Sequence, residues 1–200
     1  DFRTGAYLAG TAEMGLQSAA LVQMGRSYGF PSTSAGMTSD AKEPGAEAVL
    51  EKIISTLPGV QVGSDIIVGF GEVESDQALY LEQILVDNEI AHVCERLVNG
   101  VTVSPEKDLF EDILKIGPGG HFLASKSTRA AARSGEFYLR QMSNHASHET
   151  WISQGKTSMY SKAREKVEEI LAGPQVDPLP GAVLGKLEES LSRADEALGS

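Results

Sequence analysis

Cysteine and long apolar runs are both scarce in this sequence. Its 200 residues include a single cysteine, Cys94, which excludes an intrachain disulfide within these residues and a zinc site built from several thiolates. No apolar run approaches the ~20 residues that a membrane-spanning helix requires. The charged, apolar and small-residue order of a signal peptide is also missing. We therefore expect a cytoplasmic protein in a reducing compartment, without a membrane partner.

Basic residues are few, since 17 lysines and arginines face 28 aspartates and glutamates, for a formal net charge of −11. They are scattered along the chain and form no stripe. Proteins that bind nucleic acid or anionic lipid neutralise phosphates with clustered basic side chains. The charge pattern therefore argues against nucleic acid and anionic membranes as partners, and it suits an acidic surface that docks on a basic patch of another protein.

Several common catalytic motifs are absent as well. There is no Gly-x-Ser-x-Gly motif, so the sequence does not indicate a serine hydrolase. No Gly-x-Gly-x-x-Gly follows a predicted strand, so the sequence motif typical of dinucleotide-binding folds is absent. The glycine-rich segment 117–120 lacks the Lys-Ser/Thr pair that completes a phosphate-binding loop.

Apolar residues at helical spacing predict a mostly helical chain. The predicted helices cover residues 11–28, 46–57, about 75–98, 108–116, 127–142, about 148–155, 157–172 and 181–198. The clearest strand lies within 64–76, where Ile66 to Phe70 form a continuous apolar run of the kind buried on both faces. Segment 31–45 holds at most a short strand before a loop, and 101–107 is a short extended piece.

The alternation of helices and strands implies an α/β fold with a parallel sheet. The strands are too few for a closed eight-stranded barrel, so their number fits half of such a barrel or a small doubly wound sheet. We expect residues 1–126 to form this part and residues 127–200 to be a helical extension packing on it, with Pro178 separating its last helices. Because the chain begins with Asp1 rather than Met and is patterned from its first helix, we expect a fragment whose N-terminal part is missing.

Two glutamates directly follow the predicted strand. Ligands of parallel α/β folds bind at the carboxyl ends of strands, and Gly69 and Gly71 would allow a close approach. Glu72 and Glu74 could bind a cation there, take a proton or orient another side chain. The alternative is that Glu74-Ser75 simply starts the next helix, where acidic residues favour the helix dipole.

Asp40 and Lys42 stand in the segment after the predicted short strand. An Asp two residues before a Lys could form a catalytic pair at a second strand end. Loops are usually polar, so the two residues could equally be a solvated approach to the next helix.

The histidines offer weaker indications. His121 follows glycines in GPGGHFL (117–123) and is either structural or placed in a pocket by the glycine-rich backbone. His145 and His148 are three residues apart and could share a helix face as metal ligands. No third ligand is evident, so we predict no metal site. Cys94 lies on the long predicted helix, where core packing is expected.

An ordered set of longer segments carries a family resemblance. The segments are DFRTGAYLAGTAEMGLQSAALVQMGRSYGFPS (1–32), GMTSDAKEPGAEA (36–48), GFGEVESDQALYLEQILVDNEIAHVCERL (69–97) and GPGGHFL (117–123), extended by Trp151 with Gly155 and by KAREKVEEIL (162–171). Over nearly the whole chain, this set resembles the C-terminal part of the trimethylamine–corrinoid protein methyltransferase family.

The resemblance implies the C-terminal half of a (β/α)8 barrel of the TIM type. It also implies methyl transfer from trimethylamine or a related methylated amine to the Co(I) corrinoid of a separate partner protein, in methylamine catabolism or methanogenesis. Amine and corrinoid would meet at the carboxyl-end face of the barrel. The catalytic residues expected from it are Glu72, Glu74 and His121. Those expected to bind substrate are Asp40, Lys42 and Arg3.

The resemblance implies no directly bound cofactor, since the corrinoid belongs to the partner protein. The resemblance also associates pyrrolysine with the trimethylamine enzymes. In this protein that residue would lie upstream of Asp1 or be written as another residue in the sequence. The printed sequence contains only the common twenty residues, so a quaternary amine such as glycine betaine is the alternative substrate. A non-catalytic module that binds amines or a corrinoid protein is the alternative function.

Two positions depart from the family pattern. Ser127-Thr128 stand where many relatives carry His-Thr, and Lys42-Glu43-Pro44-Gly45 stand where many read Lys-x-Pro-Asp. Both departures indicate a separate subgroup. We also expect a homo-oligomer.

Overall fold

The computed structural model describes residues 1–174 and 179–198. Its helices are α1 (Ala12–Ser27), α2 (Ala46–Gln61), α3 (Leu81–Val98), α4 (Phe110–Ile116), α5 (Lys126–Arg133), α6 (His148–Ser153), α7 (Met159–Ala172) and α8 (Gly181–Leu198). Its strands are β1 (Thr33–Ser34), β2 (Ile66–Ile67), β3 (Glu72–Val73) and β4 (Ala78–Leu79). The chain divides into two compact units, Asp1–Val167 and Glu168–Ser200. Within the described ranges, no helix is both long and apolar enough to cross a membrane.

The first unit contains a parallel βαβ arrangement. Strands β1 and β2 pair in parallel, with Thr33 opposite Ile66 and Ser34 opposite Ile67, and α2 connects them. A parallel pair requires such a crossover, because a tight turn cannot return the chain to the same end of the sheet. The predicted α/β class is confirmed. The half barrel and the division at residue 126 stay predictions.

Strands β3 and β4 form an antiparallel hairpin where the sequence predicted the start of a helix. The connecting residues Glu74, Ser75 and Asp76 have φ values of 55°, 53° and 70°, a left-handed conformation that side chains rarely adopt. The predicted helix from about residue 75 is therefore wrong over its first six residues, because α3 begins at Leu81. Backbone hydrogen bonds from this turn to the loop after β1 hold it out of the helical conformation.

The predicted apolar strand is also shorter and more exposed than expected. Ile66 is 58% exposed and Val68 is 46% exposed, so burial on both faces is wrong. Within the described residues, β2 pairs only with β1, which leaves its other edge without a partner strand. Gly69 and Gly71, with φ values of 102° and 84°, end the extended conformation.

Most other helices match their predictions to within a few residues, and Thr11 caps α1 by accepting a hydrogen bond from the N–H of Met14 (3.2 Å). The predicted helix 127–142 is wrong in its second half. Helix α5 ends at Arg133, and Gly135 follows with a left-handed φ of 75°. Residues 101–104 form no strand, and the next three residues are a 3-10 helix. Pro178 lies outside the described residues.

The main core lies around α3. Its buried members are Met37, Val86, Ile90, Cys94 and Ala163. Cys94 is 1% exposed, which confirms its predicted core packing. A smaller buried cluster joins Ala41, Ala48 and Val73. This cluster packs the hairpin against α2 and the loop after β1, so the segments that follow β1 and β2 are fixed relative to each other.

Candidate active site

The candidate site lies where the chain leaves the carboxyl ends of β1 and β2, the usual ligand-binding end of parallel strands. The loop after β1 carries Asp40 and Lys42, and the hairpin after β2 carries Glu72 and Glu74. The N–H groups of Glu74 and Ser75 donate to backbone carbonyls of that loop, both at 2.8 Å. The structure therefore brings four of the six predicted site residues to one place.

Asp40 ties the N-terminal segment to the hairpin. Its Oδ1 accepts hydrogen bonds from the N–H of Ala9 (2.8 Å) and the hydroxyl of Ser75 (2.6 Å), and its Oδ2 accepts from the N–H of Gly10 (3.0 Å). Burial alone would raise the pKa of Asp40, but these bonds and the charge of Lys42 outweigh it and lower the pKa. Both carboxylate oxygens thus have partners inside the protein, and contact with substrate stays a prediction.

Glu74 and Lys42 form an ion pair at the outside of the site. Lys42 Nζ lies 3.7 Å from Glu74 Oε1, and the two side chains are 73% and 45% exposed. An exposed pair of this kind contributes about 0–1 kcal/mol to stability. Exchanging this partner for a charged ligand would therefore cost little, and substrate binding by Lys42 stays a prediction.

Glu72 is half-buried on β3. Burial is the largest effect on its carboxyl group and raises the pKa, and the neighbouring carboxyl group of Asp76 raises it further. The positive charge of Lys52 opposes both effects. Two carboxyl groups that repel each other gain when a cation comes between them. The arrangement therefore suits a positively charged ligand.

A buried ion pair, absent from the sequence prediction, lies behind Glu72. Lys52 Nζ of α2 lies 2.7 Å from Asp87 Oδ2 of α3, and both side chains have zero exposure. Helical periodicity assigns charged side chains to the solvent face, so neither residue stood out. One sequence signal could have indicated that Lys52 is buried. It lies on the same face of α2 as the small residues Ala48 and Ser55, and small side chains allow another element to approach closely.

The ion pair continues into a chain of hydrogen bonds. Gln83 Nε2 donates to Asp87 Oδ1 (2.6 Å), and the hydroxyl of Tyr160 on α7 donates to Gln83 Oε1 (2.7 Å). The same hydroxyl lies 3.3 Å from the carbonyl oxygen of Gly45, just before α2. Burial, followed by the charge of Asp87, raises the pKa of Tyr160 to about 12. Tyr160 therefore stays protonated and acts as a donor at neutral pH.

Replacing Tyr160 by phenylalanine is expected to lower the free energy of unfolding by about 1–3 kcal/mol, because buried Gln83 Oε1 loses its donor. Urea denaturation of the two proteins measures the difference. Tyr7→Phe is the matched control, since Tyr7 is 64% exposed and its replacement should change stability by less than about 0.5 kcal/mol. Equal effects of the two changes would show that the buried hydrogen bond is unimportant.

Arg3 and His121 lie apart from this group. The Arg3 side chain is exposed and pairs with Asp1, Nη2 to Oδ2, at 2.9 Å. His121 is exposed in the loop between α4 and α5, after Gly117 and Gly119 with left-handed φ values of 64° and 82°. In residues 1–174 and 179–198, no hydrogen bond or ion pair joins either side chain to the candidate site. Their roles stay predictions.

The two histidines considered as metal ligands lie on different elements. His145 is in a loop, with Nε2 3.0 Å from the carbonyl oxygen of Arg140, whereas His148 begins α6 and its ring lies 5.7 Å from that of Trp151. No group of three or more His, Cys, Asp or Glu among the described residues is placed to hold a metal ion.

The chain is similar in sequence to known methyltransferases. A family model described as trimethylamine methyltransferase (MTTB) matches residues 1–199. The chain is 34% identical over 200 residues to trimethylamine methyltransferase MttB2 of Methanosarcina mazei, covering 98% of this chain and 39% of the relative. The same figures hold for trimethylamine methyltransferase MttB of Methanosarcina barkeri.

A relative with a different named substrate is also similar. The chain is 30% identical over 203 residues to glycine betaine methyltransferase of Desulfitobacterium hafniense, covering 100% of this chain and 41% of the relative. The chain thus spans about two fifths of the length of these relatives.

Proposed function

The chain belongs to the trimethylamine methyltransferase family, and we propose that the whole protein transfers a methyl group from trimethylamine or a related methylated amine to the Co(I) corrinoid of a partner protein. The observation that supports this most is the family match over residues 1–199. The chain covers 39% of the length of its trimethylamine relatives, so the activity is that of the complete protein. It would operate in methylamine catabolism, in the cytoplasm.

The chemistry agrees with the charges at the candidate site. Methyl transfer to cobalt is a displacement in which Co(I) attacks the methyl carbon of a positively charged nitrogen. The C–N bond breaks, and the electron pair stays with nitrogen, which leaves as a neutral amine. Such a step needs alignment and electrostatic stabilisation more than acid–base catalysis. The carboxylates of Glu72 and Glu74 would hold a methylated ammonium group with its methyl group directed outward. The corrinoid is a substrate brought by the partner and needs no ligand from these residues.

We propose the same face as the carboxyl-end face of a (β/α)8 barrel. In this arrangement residues 1–126 contribute the C-terminal half, residues 127–200 pack on it as a helical extension, and the protein is a homo-oligomer. The parallel β1–α2–β2 unit supports the barrel. The exposed apolar side chains of Ile66 and Val68 support it as well, because in a complete barrel they would pack against the outer helices or the filled barrel interior.

The test is methyl transfer by the full-length protein to a purified corrinoid protein held in the Co(I) state. Formation of methyl-Co(III) is followed by its visible absorption spectrum, with trimethylamine, dimethylamine and buffer alone as parallel reactions. We expect methylation that depends on both the amine and the protein. If amines bind but no corrinoid is methylated, the protein is a binding module and the proposed activity is wrong.

Glycine betaine is the second candidate substrate. The similarity to a relative named glycine betaine methyltransferase favours it, and a quaternary amine is already a cation that the carboxylates can hold. The same assay with glycine betaine in place of trimethylamine separates the two. Faster methylation from glycine betaine at equal concentration would assign this chain to the quaternary-amine substrate class.

A further inference from the structure

The turn that carries Glu72 is held by the buried ion pair. In this turn the N–H of Glu72 donates to the carbonyl oxygen of Gly69 (3.3 Å). Lys52 Nζ donates to the same carbonyl oxygen (3.3 Å), and Asp87 Oδ2 accepts from the N–H of Gly71 (2.7 Å). The pair therefore contacts the turn at its first carbonyl and at the amide immediately before Glu72.

The same ammonium group also holds the chain after β1. Lys52 Nζ donates to the carbonyl oxygen of Met37 (2.8 Å). Met37 is completely buried and has a left-handed φ of 55°, a conformation that persists only when the surrounding structure enforces it. One side chain thus binds the backbone beyond both parallel strands, at the end of the sheet where the candidate site lies.

The hydrogen bonds around the pair match an ammonium group that faces a carboxylate. An ammonium group has three N–H donors, and Lys52 has three acceptors, the carbonyls of Met37 and Gly69 and the carboxylate of Asp87. Asp87 in turn accepts bonds from Lys52, Gly71 and Gln83. Burial lowers the pKa of Lys52 and raises that of Asp87, while each opposite charge opposes the shift of its partner. When both groups are ionised, each N–H of Lys52 has an acceptor and both oxygens of Asp87 have donors.

We infer that Lys52 and Asp87 are positioning residues that hold the carboxylate of Glu72 in one place and in a fixed electrostatic field, an inference that rests on the proposed function. A buried ion pair is a weak stabiliser, since apolar side chains of similar volume often serve as well. What apolar side chains cannot supply is the set of bonds to the turn. Neither residue needs to touch the amine, because both act through Glu72.

The charges around Glu72 predict how its pKa changes when the ion pair is removed. The charged groups that face it are Asp76 on its own hairpin, Lys52 on α2 and Asp87 on α3. Lys52 lowers the pKa of Glu72 by more than Asp87 raises it. Removing both charges should therefore raise the pKa of Glu72, whereas removing only the charge of Asp87 should lower it.

The experiment uses the full-length protein labelled with [13C]glutamate. The carboxyl signal of Glu72 is identified as the one missing from Glu72→Gln, and its titration midpoint is measured by NMR. The variants are Asp87→Asn, which keeps an acceptor for the N–H of Gly71, and Lys52→Met/Asp87→Asn. The matched control removes a partly exposed ion pair of similar length, Lys107→Met/Glu136→Gln.

We expect the midpoint of Glu72 to move to lower pH in Asp87→Asn, to higher pH in the double variant and not at all in the control. The pH at which activity falls because Glu72 takes up a proton should shift in the same direction as the midpoint in each variant. At high pH the double variant should still lose about 10²-fold in kcat/KM, because the displaced carboxylate misaligns the amine.

Unchanged midpoints together with wild-type kcat/KM, and only a lower melting temperature, would overturn the inference and leave the pair purely structural. If Asp87→Asn does not fold, the double variant decides alone. A midpoint at higher pH supports the inference, and an unchanged one overturns it. The titration needs no turnover, so inactive wild-type protein would refute the proposed function without deciding whether the pair controls Glu72.

Discussion

Replacing Lys52 by methionine is expected to lower the free energy of unfolding by about 3–5 kcal/mol. The change removes the positive charge that faces Asp87 at 2.7 Å and leaves a carboxylate with zero exposure and no counter-charge. It also removes the donor to the carbonyls of Met37 and Gly69. Either Asp87 takes up a proton or the site admits water, and both responses disfavour the folded state.

Two further variants separate the buried charge from other effects. Lys107→Met breaks a pair of nearly equal length with Glu136, 2.8 Å, whose side chains are 40% and 25% exposed, so it should change stability by about 0–1 kcal/mol. Lys52→Met/Asp87→Asn leaves no buried charge and should recover part of the loss, because the carbonyls of Met37 and Gly69 still lack their donor. Urea denaturation curves measure all three. Equal losses for Lys52→Met and Lys107→Met would contradict the role assigned to burial.

Replacing Glu72 by glutamine in the full-length protein is expected to reduce methyl transfer about 10²–10³-fold, the usual loss when one electrostatic contact to the reacting group is removed. Glutamine keeps the shape of the side chain but cannot balance an ammonium charge. Folding should change little. Because the folded state raises the pKa of Glu72, the ionised carboxylate lowers stability at neutral pH, and glutamine does not carry that penalty.

The measurement combines the corrinoid methylation assay with thermal melting of the same samples. Glu111→Gln is the control, since Glu111 is exposed on α4, away from the candidate site, and this variant should keep wild-type rates. Wild-type activity in Glu72→Gln would remove Glu72 from the mechanism. A failure of Glu72→Gln to fold would instead make Glu72 a structural residue.

Local pattern predicted much of this chain. Helix α2 was evident because Val49, Ile53 and Leu57 recur at helical spacing, and these residues pack on the main core. Glu72 was singled out because it follows an apolar run, and the structure does place it after a parallel strand.

The remaining features depend on contacts between distant residues. The turn at Glu74 and Ser75 is left-handed because backbone groups more than 30 positions earlier in the chain accept their hydrogen bonds. Lys52 is separated from Asp87 by 35 positions, and no window of a helix length includes both. Only the assembled fold shows that two charged residues meet in the interior beside Glu72.

The bond between Tyr160 and Gln83 also has a consequence for synthesis of the chain on the ribosome. The two residues are 77 positions apart, which takes roughly 4–15 s at the ordinary rate of about 5–20 residues per second. By the end of that interval the residues of α2 and α3 have been synthesised, but Gln83 has lacked its final partner until then. The hydrogen-bond network behind Glu72 is therefore completed late in translation, when α7 adds Tyr160 to the part that α2 and α3 supply.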